Sequence, residues 1–208
     1  MTYSTEQEAF WAGTFGNEYI ARNADENSVA VNASLFAEAL RHSGSVGSVL
    51  ELGCNIGLNL SAMKALFPEA TLTGLEINPL AAAAARTRLP QADIHVGSIL
   101  EPMLTGAWDL VMIKGVLIHI APDSLPDAYD TLYRHSVKWI LLCEYYNPVP
   151  DEVAYRGHTQ RLFKRDFAGE MLDRFANLCL RDYGFRYRRD PVAPADDLTW
   201  FLLEKLAP

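Results

Sequence analysis

Val49-Leu50-Glu51-Leu52-Gly53-Cys54-Asn55-Ile56-Gly57-Leu58-Asn59 decides how this chain folds. A short aliphatic run stops at an acidic residue, and two glycines four positions apart then open an alanine- and leucine-rich helical pattern. Such a strand–glycine turn–helix junction lets the polar groups of a ligand approach backbone N–H groups without a Cβ in the way. An acidic residue at the end of the strand suits a ligand with a cationic end better than one carrying a pyrophosphate.

The spacing excludes two common alternatives. A dinucleotide fingerprint places G-x-G-x-x-G at this turn, whereas here Asn55 stands where the middle glycine would be. A phosphate loop needs Lys-Ser or Lys-Thr after its last glycine, and none follows Gly57. The expected ligand is S-adenosylmethionine, held by Glu51, Gly53, Cys54, Asn55, Gly57 and Asn59. Taken alone, the glycine pair is also compatible with a plain strand–helix turn.

Outward from this turn the pattern alternates. Strands are expected at Val46–Leu52, Ala70–Glu76, Asp93–Val96, Asp109–Ile113 and Trp139–Cys143, and helices at Leu58–Phe67, Leu80–Leu89, Ser124–His135 and Asp166–Ala176. Asn78-Pro79 supplies an N-cap followed by proline in the first turn. Leu180–Arg188 and Leu198–Lys205 suit a terminal antiparallel hairpin. Alternation with short connections predicts an α/β, Rossmann-like, mostly parallel sheet with helices on both faces. Ahead of it, Thr5–Glu8 has the form of a capping box, and a second helix spans Ser28–His42 before Gly44. Residues 1–44 read as an N-terminal helical cap on a core spanning 45–208, all within one domain.

Half of the 208 residues are hydrophobic and the net charge is −8. That sign disfavours nucleic acid and anionic membrane as partners, without excluding a small anionic substrate met by local basic residues. Three widely spaced cysteines with no CxxC pair read as reduced and buried, which argues against zinc and for the cytoplasm. The first residues lack the basic start and apolar core of a signal peptide. Nothing in the sequence excludes a homodimer.

Four further sites fall where such a sheet would present them. Glu76-Ile77 ends the second strand, where an acidic side chain can accept hydrogen bonds from ribose hydroxyls; a solvated strand-end glutamate is the alternative. Gly97-Ser98-Ile99 would place Ser98 at an adenine edge with Ile99 on the ring, unless it is a simple turn. Lys114-Gly115 closes a buried strand at the ligand crevice. His119 follows within a turn, and its ordinary pKa near neutrality suits a general base; a lone His in an apolar stretch is more often structural.

The order Glu51–Gly53–Gly57, Glu76, Gly97-Ser98, Asp109…Gly115 resembles the class I, Rossmann-like S-adenosylmethionine-dependent methyltransferases. More narrowly, the chain is similar to the pseudaminic acid biosynthesis-associated methylases. That similarity is carried by Phe10-Trp11-Ala12-Gly13-Thr14-Phe15-Gly16-Asn17-Glu18-Tyr19, by Glu51–Asn59 with its Asn55, and by Lys114–Ile120. It continues through Cys143-Glu144-Tyr145-Tyr146-Asn147-Pro148, Tyr155-Arg156-Gly157-His158, Leu162–Met171 and Asp197–Glu204. The resemblance implies a seven-stranded sheet and S-adenosylmethionine bound at the first glycine turn; S-adenosylhomocysteine is the expected product, and no metal is expected. It associates the chain with nonulosonic sugars without saying which atom is methylated.

The residues themselves fit an acidic acceptor. Tyr146 and Asn147 leave the fifth strand at the crevice. Tyr155, Arg156 and His158, then Lys164 and Arg165, bring positive charge into an acidic protein, and Arg156 suits bidentate contact with a carboxylate or phosphate. For Lys164 and Arg165, pairing with Asp166 and Glu170 explains the charge equally well. Tyr19 and Arg22 share a helical face and are candidates for the methionine carboxylate, whereas Phe10 and Trp11 read as packing. The expected function is O-methylation of a small acidic sugar or its nucleotide-activated form. The competing readings are another small carboxylate or amine acceptor, and a non-catalytic donor-binding regulator.

Overall fold

A computed structural model describes residues 3–22 and 27–207. Three helices come first: α1 (Glu6–Ala12), α2 (Thr14–Arg22) and α3 (Asn27–Ala39). The alternating core follows as β1 (Ser48–Leu52), α4 (Leu58–Leu66), β2 (Thr71–Glu76), α5 (Pro79–Arg88), β3 (Asp93–Val96) and β4 (Trp108–Lys114). Then come α6 (Leu125–His135), β5 (Ser136–Glu144), the two-residue strands β6 (Asp151–Glu152) and β7 (Phe163–Lys164), α7 (Phe167–Arg174), β8 (Leu178–Arg186) and β9 (Leu198–Lys205).

Seven strands form one sheet in the order β3-β2-β1-β4-β5-β9-β8. The first five are parallel; β9 pairs antiparallel with both β5 and β8 and closes the edge. The period of two along each strand divides the apolar side chains between two cores. Val49, Leu110, Met112 and Leu141 face α3, α4 and α5, whereas Leu50, Leu52, Val111, Ile113 and Leu142 face α6 and α7. With both faces covered, the central strands read as unbroken apolar runs.

The chain leaves β1 toward β2 and β3 on one side and returns to β4 and β5 on the other. The strand order therefore reverses between β1 and β4, and the crevice beyond their C-terminal ends is where a doubly wound sheet takes a ligand.

Several boundaries differ from the sequence expectation. The first strand starts at Ser48 and α3 stops at Ala39, while β5 extends over Ser136–Glu144 because it pairs along its length with β4 and β9. Gly13 separates α1 from α2, and Gly16 lies inside α2, where its bare backbone packs against the carbonyl of Trp11. The β6–β7 hairpin is too short to leave a periodic signal.

Candidate active site

A cavity of about 590 Å³ opens beyond the C-terminal ends of β1, β2, β3 and β4, roofed by α1 and α2. Its floor is the glycine turn. Gly53 adopts φ +78°, and a Cβ there would stand 2.5 Å from Val116 Cγ2, so only glycine lets the two loops meet. Asn55 holds φ +47°, a left-handed conformation its short amide tolerates. Gly57 is the left-handed N-cap of α4, with Ala85 and Leu89 of the α5 segment packed against it.

Glu76 crosses this floor. Its two oxygens accept the Asn55 N–H and the Asn78 N–H, each at 2.8 Å. Burial pushes its pKa up, against the pull of those bonds. The Ile77 N–H also favours its charged form, and the four acceptor positions of a carboxylate still leave room for a ligand hydroxyl.

Glu51 lies just beneath the floor, fully buried, with Oε1 accepting from Asn59 Nδ2 at 2.6 Å. Asn59 in turn accepts from Asn32 Nδ2 at 2.7 Å. Burial raises Glu51 to about 8, opposed by the Asn59 bond and the positive charge of Lys114. Its other oxygen has no hydrogen-bond partner among the described residues. A buried acceptor without a donor is costly, and Asn59 and Lys114, which both interact with it, line the cavity.

The roof is tied to the floor by hydrogen bonds that bridge distant parts of the chain. Glu8 completes the capping box with Thr5 and also accepts from the Ser98 hydroxyl. Asn78 caps α5 through Oδ1, and its Nδ2 donates to the Trp11 carbonyl at 3.1 Å and Asn17 Oδ1 at 2.8 Å. Gly16 sits in this contact, and a methyl there would overlap the Trp11 carbonyl and approach Asn78 Nδ2 to 2.8 Å. Gly16→Ala is expected to leave the sheet folded but displace the roof. Ligand affinity should then fall by about tenfold or more, the loss of one to two hydrogen bonds. Calorimetry alongside thermal unfolding measures both; unchanged affinity would mean the roof does not seal the cavity.

The turn after β4 is set by Glu144 at the end of β5. Its Oε1 accepts the Val116 and Leu117 N–H groups, both at 3.0 Å, which caps the short 3-10 turn Leu117–His119. That turn carries His119 into the cavity wall, where its ring lies 4.6 Å from Trp11 and 5.0 Å from Tyr155. Nδ1 is 2.5 Å from the Arg161 carbonyl, which can only accept, so the proton resides on Nδ1 and Nε2 carries a lone pair. Burial lowers the pKa of His119 to about 4, partly offset by that bond. The imidazole is neutral at physiological pH.

Of the residues singled out from sequence, Tyr19, Gly53, Cys54, Asn55, Asn59, Glu76, Ile77, Ser98, Ile99, Lys114, Gly115 and His119 line the one cavity. Arg22 does not; it pairs with Glu18 at 3.5 Å and lies over the Phe15 ring. Tyr155 packs against Trp11 and His119, and Arg156 stands over its outer side with φ +49°. Burial raises Tyr19 to about 12, with Tyr155, Asp196 and Arg156 near enough to act on its hydroxyl. His158 packs on Phe10 and Phe15, Asn147 bonds to the Val149 carbonyl, and Tyr146 lies against Phe201. Lys164 lies over the Tyr145 ring, and Arg165 is bound to Glu170 at 2.7 Å.

Sequence reasoning passed over Glu8, Asn32, Asn78 as a tie to the roof, Glu144 and Asp196. It also assigned Trp11 to packing, although Trp11 lines the cavity beside His119. Only the T-x-x-E capping box drew attention to Glu8, and that for its role in the helix.

Residues 49–138 match the family model for a methyltransferase domain. The chain carries a methyltransferase domain there. No curated protein sequence matches it, but solved methyltransferases share its fold at low identity. Magnesium protoporphyrin IX methyltransferase from Synechocystis PCC 6803, solved with bound S-adenosylhomocysteine, is 14% identical, with a TM-score of 0.71 over 97% of this chain and 100% of that one. Mitomycin 7-O-methyltransferase is 16% identical with a TM-score of 0.70; 97% of this chain covers only 61% of it. An amino pentose methyltransferase of calicheamicin biosynthesis from Micromonospora echinaspora, solved with S-adenosylmethionine, is 16% identical, with a TM-score of 0.62 over 99% of both chains. The sheet and its antiparallel edge hairpin are thus those of the Rossmann-like methyltransferase fold.

Among the described residues, no group of three or more His, Cys, Asp or Glu is placed to hold a metal. None of the helices among those residues is long and apolar enough to cross a membrane.

Proposed function

We propose that this chain is a methyltransferase that uses S-adenosylmethionine as donor, releases S-adenosylhomocysteine, and methylates a hydroxyl of a small acidic sugar, free or nucleotide-activated. The observation that carries the reading is one cavity holding both a cation-seeking floor and a neutral imidazole. Glu51, buried beneath that floor, has an oxygen without a hydrogen-bond partner among the described residues and reaches the cavity through Asn59. Glu76 keeps acceptor capacity for a ribose, and Gly53 permits close backbone approach.

The donor supplies an electrophilic methyl group; the protein's residues do the rest. Glu76 and the Gly53–Asn55 turn would hold the nucleoside, while Glu51, Asn59 and Lys114 face the amino-acid end. His119 Nε2 accepts the proton of the acceptor hydroxyl, its ring fixed by the Arg161 carbonyl and by the Glu144-capped turn. Trp11 and Tyr155 flank it and hold the acceptor by stacking, and positioning of this kind supplies much of the barrier reduction. Trp11 Nε1 is buried without a partner among the described residues, which suits an acceptor bearing oxygen.

The acidic character of the acceptor rests on Arg156 near Tyr19 and on the sequence resemblance to the nonulosonic-acid methylases. A second reading, an amine acceptor, is favoured by Asp196 on the cavity wall and by the aromatic side chains around His119.

Incubation with methyl-labelled donor and a panel of nonulosonic acids, free and CMP-linked, beside amino sugars decides between them. Label in the acids is the expected result. Label only in the amines would replace the acceptor assignment, and donor binding with no transfer at all would favour a regulatory protein.

A further inference from the structure

The roof helix α1 places a carboxylate where the donor's base would lie. Glu8 is buried, lines the cavity, and stands against Ser98 in the turn after β3. Its Oε2 is saturated by the Ser4 N–H at 2.7 Å, the Ser4 hydroxyl at 2.6 Å and the Thr5 N–H at 3.0 Å. Oε1 accepts only from Ser98 among the described residues, so it keeps an acceptor position.

The orientation of the donor follows from His119, and this step rests on the function proposed above. His119 follows β4, so the reacting end of the donor must point toward β4. The cavity extends the other way past Glu76 to β2 and β3, and ends at Ser98, Ile99, Leu100 and Glu8. The base therefore points at the roof.

We propose that Glu8 reads the 6-amino group of the donor's adenine, accepting one of its N–H bonds at Oε1, so that recognition of the base and closure of the N-terminal roof are one event. Burial alone would raise the Glu8 pKa, but the bonds from Ser4, Ser98 and Thr5 outweigh it and hold the carboxyl below its ordinary range. It is an anionic acceptor at neutral pH. An exocyclic amine can satisfy it, whereas a purine without that amine leaves it short of a donor. Ser98 bridges the two parts: its hydroxyl donates to Glu8 and accepts the Leu100 N–H at 2.9 Å, fixing the turn under the base.

The test compares two ligands on the full chain by calorimetry: S-adenosylhomocysteine, and the analogue carrying hydrogen in place of the 6-amino group. The wild-type protein is expected to prefer the amino compound by about 10- to 100-fold, the range for a hydrogen bond to a charged group. In Glu8→Met, which keeps length without an acceptor, that ratio should collapse to within about threefold, below half a hydrogen bond. Glu8→Gln retains the capping box only with its carbonyl in the Oε2 position, which turns a donor-only NH2 toward the base, so its ratio should collapse as well while the helix stays capped. A purely structural role would weaken both ligands equally and leave the wild-type ratio intact in Glu8→Met, which overturns the proposal. Wild-type protein that binds neither compound would instead overturn the donor assignment, and this inference with it.

Discussion

His119→Ala is expected to lower turnover by about 10²- to 10⁴-fold, the usual contribution of a positioned general base, while donor affinity stays within about threefold. The imidazole is already in the form the reaction needs. Burial has lowered its pKa to about 4, so it can accept a proton at any pH above that value. The acid limb of kcat/KM from this group should therefore lie near pH 4, not near the ordinary 6.5. Stability follows the same sign: the folded pKa is below the unfolded one, so between these values the unfolded chain binds more protons. The contribution of His119 is complete above about pH 6.5 and is lost as pH falls through about 4.

The alanine variant alone would not separate a base from a packing residue, because His119 also bonds the Arg161 carbonyl and touches Trp11 and Tyr155. His119→Asn separates them. Its amide can still donate to Arg161, but it has no nitrogen that takes a proton near neutrality. Steady-state kinetics on the asparagine variant should match the alanine loss. Turnover near the wild-type rate would remove His119 from proton transfer and leave it a structural role.

Much of the core was legible because each of its features is local. Val49–Leu52, Gly53 and Gly57 declare a strand, a turn and a helix within eleven residues of sequence, and short apolar runs between helical segments locate the remaining central strands. The side chains that turn a crevice into a closed cavity were harder to see because their partners are remote. Glu8 meets Ser98 across 90 positions, and Asn78 meets Trp11 across 67. Glu144 looks like a solvated strand end until the fold brings the Val116 and Leu117 amides onto it. Charge misled in the opposite way at Arg22, which Glu18 absorbs four residues away as the helical spacing signals, whereas Arg165 pairs with Glu170, one of its two readings from sequence.

Donor affinity should rise with pH between about 6 and 7.5, by up to tenfold per unit, the limit for one coupled proton. The cause is Glu51. Burial holds it protonated at neutral pH, with its pKa raised to about 8 although Asn59 and Lys114 favour the charged form. A cationic amino-acid end arriving over Asn59 favours the carboxylate, so binding must expel the proton. Calorimetry in two buffers of different ionisation enthalpy would count it, and close to one proton should be released at pH 6.5. Above about pH 8 the gain stops, because the donor's own α-amino group, ordinarily at 7.7–8.0, begins to lose its charge. The protein without donor shows the opposite trend. Its folded Glu51 pKa lies above the unfolded value of 4.5, so this group's contribution to stability is full below 4.5 and is lost as pH rises through about 8. Donor should abolish that loss, which thermal unfolding across pH would reveal. Glu51→Gln keeps the shape and the Asn59 contact but cannot become an anion. It should bind donor about 100-fold more weakly at pH 7.5, the scale for losing one partner of a buried charge pair, and show no pH dependence over this interval. Wild-type affinity that stays flat from pH 6 to 7.5, with no proton exchanged, would mean that the carboxylate beneath the floor does not sense the ligand.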